Sequence, residues 1–257
     1  MSKQAVSDQA VSGQDGPRTL AIDVGGTRLK AGLLGPEGAL IGERARVDTP
    51  HPSPPDAVVP LLAELAAELP GFDRISVGFP GVVHDGVVRT APNLGTPTWA
   101  GYDLAGALRL RLGKPVRVLN DASVQGLGVI AGHGLECVIT LGTGFGFALY
   151  QDGKLLPHLE LSQHPARKDM TYDEYLGTAA LKSVGLAKWQ SRVRRVIKQL
   201  EILINYDTLL IGGGNAKHVA LDLPSNVRLA DNAAGILGGI RLWDEMQDAA
   251  FEATRSS

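Results

Sequence analysis

AIDVGGTRLKAGLLGPEG, at residues 21–38, is the stretch that decides the fold predicted for this chain. The apolar run at 20–24 is typical of a buried strand, and residues 28–34 predict the returning strand. Between them, Gly25-Gly26-Thr27 predicts a tight turn, because glycine adopts backbone conformations that other residues avoid. The ordered chain is therefore expected to open with a β-hairpin built around a glycine turn.

A second stretch, VITLGTGFGFALYQDG at residues 138–153, repeats this pattern. Both stretches predict a strand, a glycine-threonine turn, a second strand and a glycine hairpin. A repeat about 117 positions apart favours two related lobes that face each other. The alternative is a chance likeness between two glycine-rich hairpins.

Apolar periodicity between and after these hairpins predicts alternating strands and helices. Asp56 is expected to be the N-cap of the first helix. The remaining strands are predicted at 39–47, 74–79, 116–119 and 208–211, and helices at 56–69, 103–113, 189–206 and 232–243. This order predicts an α/β fold with an N-terminal lobe at 18–120 and a C-terminal lobe at 121–257, whose final helix packs back on the first lobe. The polar residues 1–17 are expected to be a disordered tail.

The composition excludes several classes of protein. With 27 acidic and 25 basic residues among 257, the chain does not have the charge of a general nucleic-acid binder. Its single cysteine, Cys137, excludes a disulfide framework and a cysteine-rich zinc site, which indicates the reducing cytoplasm. No apolar run reaches 18 residues, so no membrane span is predicted.

The glycine turns point to anion binding. Neither turn has the spacing of a P-loop or of a dinucleotide-binding motif. Glycine in a hairpin turn lets backbone N–H groups approach an anion, and a neighbouring threonine hydroxyl adds a donor. Asp23 precedes the first turn and suits a phosphate ligand only through a hydrated magnesium ion. The structural alternative is that tight hairpins require glycine in any case.

Two acidic positions suggest chemistry on a hydroxyl group. Asn120-Asp121 follows a predicted strand, where α/β proteins bind ligands, so Asp121 could accept the proton of an attacking hydroxyl. Its alternative role is to cap the next helix. Glu160 lies in a polar loop and suits sugar recognition, although a solvated loop is equally compatible. His158 and His164 have no spacing that supports zinc binding.

A long helix at 189–206 carries four basic residues on its polar side. The residues are Arg192, Arg194, Arg195 and Lys198. They are interpreted either as a solvated helix face or as an electrostatic track for a long phosphate donor.

Taken together, these segments resemble the ROK family of sugar kinases within the actin-like ATPase superfamily, and most nearly its short, polyphosphate-glucokinase-like members. The resemblance runs from about residue 19 to residue 243. It is carried by five segments in order: DVGGTRLKAGLL (23–34), FPGVVHDGVVRTAPNLG (79–95), VLNDASVQGLG (118–128), TLGTGFGFALYQDGKLLPHLEL (140–161) and IGGGN (211–215).

This resemblance implies a two-lobed actin-like ATPase (ribonuclease-H-like) fold, with duplicated βββαβα-type lobes and a central cleft. It implies transfer of a terminal phosphoryl group from ATP, polyphosphate or both to the 6-hydroxyl of glucose or a related hexose. Magnesium is implied as cofactor without zinc, and a homodimer is implied as the assembly. No nucleic-acid or membrane partner is expected.

The resemblance also implies roles for individual residues. Asp121 would be the general base, and Asp23 would hold magnesium through water. Sugar binding is implied for Asn93, Asn120, Asp121, Glu160, Gln163, His164 and Glu174. Phosphate or nucleotide binding is implied for Asp23, Gly25, Gly26, Thr27, Lys30, Gly142, Thr143, Gly144, Gly212, Gly213, Gly214 and Asn215.

The chain departs from the family pattern at the sugar loop. The usual Glu-x-Gly-His reads here as Glu160-Leu161-Ser162-Gln163, with His164 one place later. The second acid of this region is either Asp173 or Glu174. Two other functions remain as alternatives: a non-catalytic hexose sensor that acts through a partner protein, and an actin-like structural ATPase that polymerises.

Overall fold

The first half of the chain forms a five-stranded sheet and a small separate hairpin. In the computed structural model, which describes residues 16–231 and 237–251, three antiparallel strands are followed by two that run parallel to the first. The strands are β1 (Thr19–Val24), β2 (Arg28–Leu34), β3 (Leu40–Asp48), β4 (Arg74–Phe79), β5 (Val83–His84), β6 (Val87–Val88) and β7 (Val116–Asn120). The sheet order is β3-β2-β1-β4-β7, and β5 pairs with β6.

The second half repeats this topology. Its sheet has the order β10-β9-β8-β13-β14, with the first three strands antiparallel and the last two parallel to β8. The strands are β8 (Leu135–Leu141), β9 (Phe145–Gln151), β10 (Lys154–Leu155), β11 (Pro165–Arg167), β12 (Met170–Thr171), β13 (Thr208–Gly212) and β14 (Val227–Leu229). The predicted repeat of the two glycine hairpins is therefore confirmed.

Helices cover the outer faces of both sheets and the space between them. They are α1 (Pro55–Ala67), α2 (Thr96–Trp99), α3 (Leu104–Leu112), α4 (Asp121–Val129), α5 (Tyr172–Leu176), α6 (Thr178–Val184), α7 (Leu186–Ile204) and α8 (Gly238–Arg241). One apolar core lies between the first sheet and α1 and α3, and another between the second sheet and α5 to α7. No helix in the described ranges is both long and apolar enough to cross a membrane.

Helix α4 lies between the two sheets and packs closely against both. A third core forms around it, with Leu127 of the helix beside Leu119 of β7 and Val138 of β8. This close packing depends on glycine, because a Cβ at Gly126 would overlap the hydroxyl group of the buried Tyr150. A Cβ at Gly238 of α8 would likewise overlap the backbone of α4. The contacts of α4 therefore join the two halves of the molecule.

Several predicted boundaries change in the structure. Asp56 is not an N-cap: α1 begins at Pro55 after Pro54, and Asp56 lies within its first turn. The proline at the first helical position supplies a suitable φ and needs no N–H partner, so the helix starts without a side-chain cap. The prediction that Asp103 caps α3 is confirmed, since its carboxylate accepts a hydrogen bond from the Gly106 N–H at 2.7 Å.

The second half differs most from the sequence expectation. Short helices α5 and α6 precede α7, which begins at Leu186 rather than at residue 189. Between β13 and β14 the repeat has only a 3₁₀ turn at Ala216–His218, where the first half has helix α3. Part of the predicted final helix, at 232–236, and residues 1–15 of the predicted tail lie outside the described residues. The helix that is described there, α8, packs on β1 and β4 of the first sheet.

We expect Gly126→Ala to destabilise the protein. The added methyl group would collide with Tyr150, whose hydroxyl donates to the Ser123 carbonyl at 2.6 Å, and overpacking of this kind costs about 1–3 kcal/mol. Thermal unfolding should show a Tm lower by roughly 2–10 °C. Gly214→Ala is the matched control, because a Cβ there meets no atom within 4 Å. Equal Tm values for both variants would contradict this account of α4.

Candidate active site

A cleft with a volume of about 590 Å³ lies between the two sheets. Both glycine turns contribute to its wall, together with the start of α4 and the loop before α5. It contains most of the predicted site residues: Asp23, Gly25, Gly26, Lys30, Asn93, Asn120, Asp121, Gly142, Thr143, Gly144, Glu160, Gly212, Gly213 and Gly214. Residues from sequence segments far apart therefore meet in one place.

Asn120 and Asp121 lie where β7 ends and α4 begins. The Asn120 side chain is the N-cap, since its oxygen accepts from the N–H groups of Ala122 at 3.0 Å and Ser123 at 3.3 Å. The Asn120 amide also donates to the Gly81 carbonyl at 3.2 Å. With the capping role held by Asn120, the Asp121 side chain is directed to the cleft as the first residue of the helix.

The surroundings of Asp121 hold its proton unusually tightly. Burial is the main cause, and the nearby negative charges of Asp23 and Glu160 add to it, so that the pKa of Asp121 rises to about 7. The Ala122 N–H, at 2.8 Å, and the neighbouring His158 act in the opposite direction. Asp121 therefore changes its protonation state near neutral pH, which suits a group that accepts a proton.

The first glycine turn brings a charged pair to the cleft. The Gly25 N–H donates to the Arg28 carbonyl at 3.0 Å, which closes the turn between β1 and β2. Asp23 and Lys30 lie opposite each other in the register of these strands, and their carboxylate and ammonium groups are 3.0 Å apart. Gly26 packs beside Asn93: a Cβ added to Gly26 would lie only 3.3 Å from the Asn93 Cβ.

The second glycine turn is held by side chains from three other segments. The Gly142 carbonyl accepts hydrogen bonds from the Thr178 hydroxyl at 2.8 Å and from the Asn215 amide at 3.0 Å. The Asp173 carboxylate accepts from the Phe145 N–H at 2.6 Å, immediately after the turn. These contacts fix the backbone of 142–144, so its N–H groups have a defined orientation for an anion.

Glu160 is the centre of a polar network along the cleft wall. One carboxylate oxygen lies 3.4 Å from His158 Nε2, and the other accepts a hydrogen bond from the Ser162 hydroxyl. Burial opposes the ionisation of Glu160, but the hydrogen bonds from His158 and Ser162 outweigh it and lower its pKa. The network continues through Gln163, whose amide donates to Ser162 and to Asp173, both at 3.1 Å.

Some predicted site residues do not line the cleft. The Thr27 side chain is exposed, the Gln163 amide bridges Ser162 and Asp173, and the His164 ring lies against Tyr172. Asn215 contacts the cleft only indirectly, through the Gly142 carbonyl. The residues that fall outside the cleft wall are Thr27, Gln163, His164, Glu174 and Asn215.

Helix α5 places Asp173 and Glu174 in different surroundings. Glu174 completes a capping box, in which its carboxylate accepts from the Thr171 N–H at 2.9 Å and the Thr171 hydroxyl accepts from the Glu174 N–H at 3.2 Å. Asp173 instead lines the cleft, where burial raises its pKa. Of the two acids, Asp173 is therefore the one that lines the cleft, while Glu174 is engaged in the capping box of α5.

Several residues of the cleft wall were not among the predicted site residues, and three polar ones belong to the network around Glu160; Asp173 was an alternative to Glu174. His158, Ser162 and Asp173 all line the cleft. In the sequence these residues stand out only because they lie close to Glu160 or Glu174 along the chain. Closeness along the chain does not show in which direction a loop side chain points. Within the described ranges, no three His, Cys, Asp or Glu side chains converge as a metal site.

Comparison with known proteins identifies the family of the chain. The model of the ROK family matches residues 19–157, more than half of the sequence. The chain belongs to the ROK family. Its resemblance to this family, stated from the sequence motifs, is confirmed.

Two of the relatives of this ROK protein use polyphosphate according to their names. A polyphosphate glucokinase of Mycobacterium leprae (strain TN) is 31% identical over 239 residues, which cover 86% of this chain and 73% of the relative. The crystal structure of an inorganic polyphosphate/ATP-glucomannokinase from Arthrobacter sp. strain KM superposes with a TM-score of 0.80. Its sequence is 33% identical, and the match covers 88% of this chain and 97% of that one.

A more distant ROK structure supports the same fold. The ROK family glucokinase from Streptomyces griseus has a TM-score of 0.72 at 20% identity, with 88% of this chain and 98% of that chain covered. The predicted two-lobed actin-like ATPase fold is confirmed by these likenesses and by the repeated sheet topology.

We expect Asp121→Asn to stabilise the folded protein at alkaline pH. Because folding raises the pKa of Asp121, ionisation of this side chain destabilises the folded state. The loss of stability grows between about pH 4 and pH 7 and is constant at higher pH. The free energy of unfolding of the variant should exceed that of the parent by roughly 2–4 kcal/mol at pH 8. Urea unfolding at pH 4.5, 6 and 8 measures this gain, and a gain that is independent of pH would contradict the assigned pKa.

Proposed function

We propose that this protein is a glucokinase-type phosphotransferase that moves the terminal phosphoryl group of ATP or polyphosphate to the 6-hydroxyl of glucose or a related hexose. The observation that carries the proposal is the position of Asp121, between two glycine turns and beside Glu160, with a pKa of about 7. A base in this position suits transfer of a phosphoryl group from an anionic donor to a hydroxyl acceptor. The names of the relatives indicate the same reaction.

Asp121 would act as the general base. Its carboxylate would accept the proton of the sugar hydroxyl while the hydroxyl oxygen forms a bond to the terminal phosphorus. The bond from that phosphorus to the bridging oxygen breaks, and the donor leaves as ADP or as polyphosphate shorter by one unit. A pKa of about 7 makes Asp121 a stronger base than an ordinary aspartate and leaves it largely ionised at mildly alkaline pH.

The glycine turns would bind the donor. The N–H groups of Gly25 and Gly142 close their own turns, so the N–H groups of Gly26, Thr27, Thr143 and Gly144 are the ones that would bind phosphate oxygens. The ammonium group of Lys30 adds positive charge beside them. Most of the rate enhancement would then come from positioning and charge neutralisation rather than from covalent chemistry. The fixed geometry of the second turn, held by Asp173 and Thr178, supports this role.

Asp23 would hold the magnesium ion that such donors carry. Magnesium is typically bound by one or two carboxylates, phosphate oxygens and several waters. A single half-exposed carboxylate in the cleft, without a cluster of further ligands among the described residues, fits that pattern. When bound, the ion would neutralise charge on the phosphate groups.

Glu160 and Asn93 would bind the sugar. The lowered pKa of Glu160 keeps it ionised, so it can accept hydrogen bonds from two neighbouring hydroxyl groups. Asn93 lines the cleft from the opposite half of the molecule. Asn120 would contribute its second amide hydrogen, because its oxygen caps α4 and its first amide hydrogen is donated to the Gly81 carbonyl.

Two further expectations from the sequence stay proposals. The protein is proposed to act as a homodimer and to reside in the cytoplasm. Size-exclusion chromatography with light scattering would measure the first, and cell fractionation would measure the second.

We expect Asp121→Asn to lower kcat by about 10²–10⁴-fold, which is the usual effect of removing a general base. A coupled assay with glucose, run separately with ATP and with polyphosphate, measures the loss. For the parent, kcat/KM should fall tenfold per pH unit below about pH 7, because Asp121 must be ionised to accept the proton. The variant should lack this dependence.

The Asp121→Asn protein must still fold for this result to count, and the unfolding experiment above tests that directly. An Asp121→Asn variant as active as the parent would overturn the mechanism. Hexose binding by the parent without product from either donor would favour the non-catalytic sensor instead.

We expect Asp173→Ala to impair catalysis more than Glu174→Ala does. Loss of the Asp173 carboxylate frees the Phe145 N–H and the Gln163 amide, so kcat/KM for the donor should fall about tenfold or more. Glu174→Ala removes only the capping box, and should lower stability by roughly 1 kcal/mol with little effect on kcat/KM. The reverse ranking in the same assay would restore Glu174 as the second acid.

A further inference from the structure

Strands β2 and β3 carry a row of basic side chains on the face opposite the N-terminal core. Alternate residues of these strands, such as Leu29 and Ala45, are buried in that core. The residues between them therefore lie on the other face. In the strand register, Lys30 of β2 lies opposite Arg46 of β3.

Arg44 extends this row. It lies two residues from Arg46, next to the register shift between β2 and β3, and its contact with Gly32 places it on the same side of the sheet as Lys30. The Arg44 side chain covers Gly32 of β2: a Cβ added to Gly32 would lie 3.6 Å from Arg44 Cγ. Lys30 and Arg44 both line the cleft. The basic row, defined as Lys30, Arg46 and Arg44, thus begins beside the first glycine turn and leads away from it.

Much of this positive charge is not neutralised by the protein. Lys30 is paired with Asp23 at 3.0 Å, and on the same face Arg28 is paired with Asp48 at 3.4 Å. Arg44 and Arg46 are both exposed, and neither forms an ion pair with an acidic group in the described part of the chain. Two guanidinium groups are therefore available to an anion from solvent.

We propose that the basic row binds the phosphate units of a polyphosphate donor that follow the unit being transferred. This inference rests on the proposed function, and it deepens that function by assigning a site for one class of donor. Guanidinium groups bind phosphate oxygens in bidentate fashion, and a row of them matches a linear polyanion. ATP carries only two phosphates behind the transferred one, and its adenosine has no charge for such a row to neutralise.

The basic face of α7, which the sequence suggested as a track, fits this role less well. Arg192 is engaged with the protein itself: its guanidinium donates to the Tyr175 carbonyl at 3.0 Å and lies 4.6 Å from the centre of the Tyr175 ring. None of the four basic residues of that face lines the cleft. Arg194 and Arg195 are exposed and provide a matched control of equal charge.

The test compares the double variant Arg44→Ala/Arg46→Ala with the parent and with Arg194→Ala/Arg195→Ala. Glucose phosphorylation is measured with long-chain sodium polyphosphate and with ATP. We expect kcat/KM for polyphosphate to fall about tenfold or more in the first variant, with kcat/KM for ATP within about twofold of the parent. With polyphosphate, the kcat/KM of this variant should also depend less on salt concentration than that of the parent, because fewer charged contacts form. The α7 variant should match the parent with both donors.

Each other outcome overturns the proposal, and the failures are distinguishable. Unchanged kinetics with polyphosphate would show that the row does not bind it, and equal losses with both donors would place its effect on the shared terminal groups or on folding. A parent that uses ATP alone would remove the proposal but leave the proposed function intact. A parent inactive with both donors would remove the proposed function itself.

Isothermal titration of polyphosphate gives a readout that does not need turnover. The Asp121→Asn protein should bind polyphosphate more tightly than the same protein with Arg44→Ala and Arg46→Ala added. Equal affinity in the two proteins would overturn the proposal.

Discussion

The packing of α4 between the two sheets is the contact on which the rest of the structure depends. Tyr150 of β9 lies against Gly126 of this helix and donates a hydrogen bond to its backbone, while Gly238 of α8 approaches from the other side. A side chain larger than hydrogen at either glycine would push the helix away. Because α4 begins at the end of β7, the same packing places Asp121 at the junction of the two halves.

The cleft concentrates negative charge at a cost in stability. Asp23 and Glu160 lie close enough to Asp121 to raise its pKa. Asp23 is paired with Lys30, and Glu160 lies 3.4 Å from His158 Nε2, whereas Asp121 forms no ion pair within the described residues. Proteins commonly accept such destabilisation where activity requires it. A magnesium ion bound with the proposed donor would offset this negative charge.

One hydrogen-bonded network joins the two halves of the proposed reaction. It runs from Glu160, on the sugar side, through Ser162 and Gln163 to Asp173, which holds the second glycine turn on the phosphate side. Gln163, which departs from the family pattern, is thus a connecting residue within the protein rather than part of the cleft wall.

The sequence alone was enough to predict the two glycine hairpins, the repeated sheets and the position of Asp121 at the end of a strand, because apolar runs and glycine turns act through local backbone preferences. It could not separate Asp173 from Glu174, since adjacent acids have the same local character and only the direction of α5 turns one into the cleft and the other into a capping box. Nor could it place Arg44 at the cleft or Arg46 on the same face of the sheet as Lys30. That depends on strand register and on which sheet face the core covers, and both are decided by packing between distant segments.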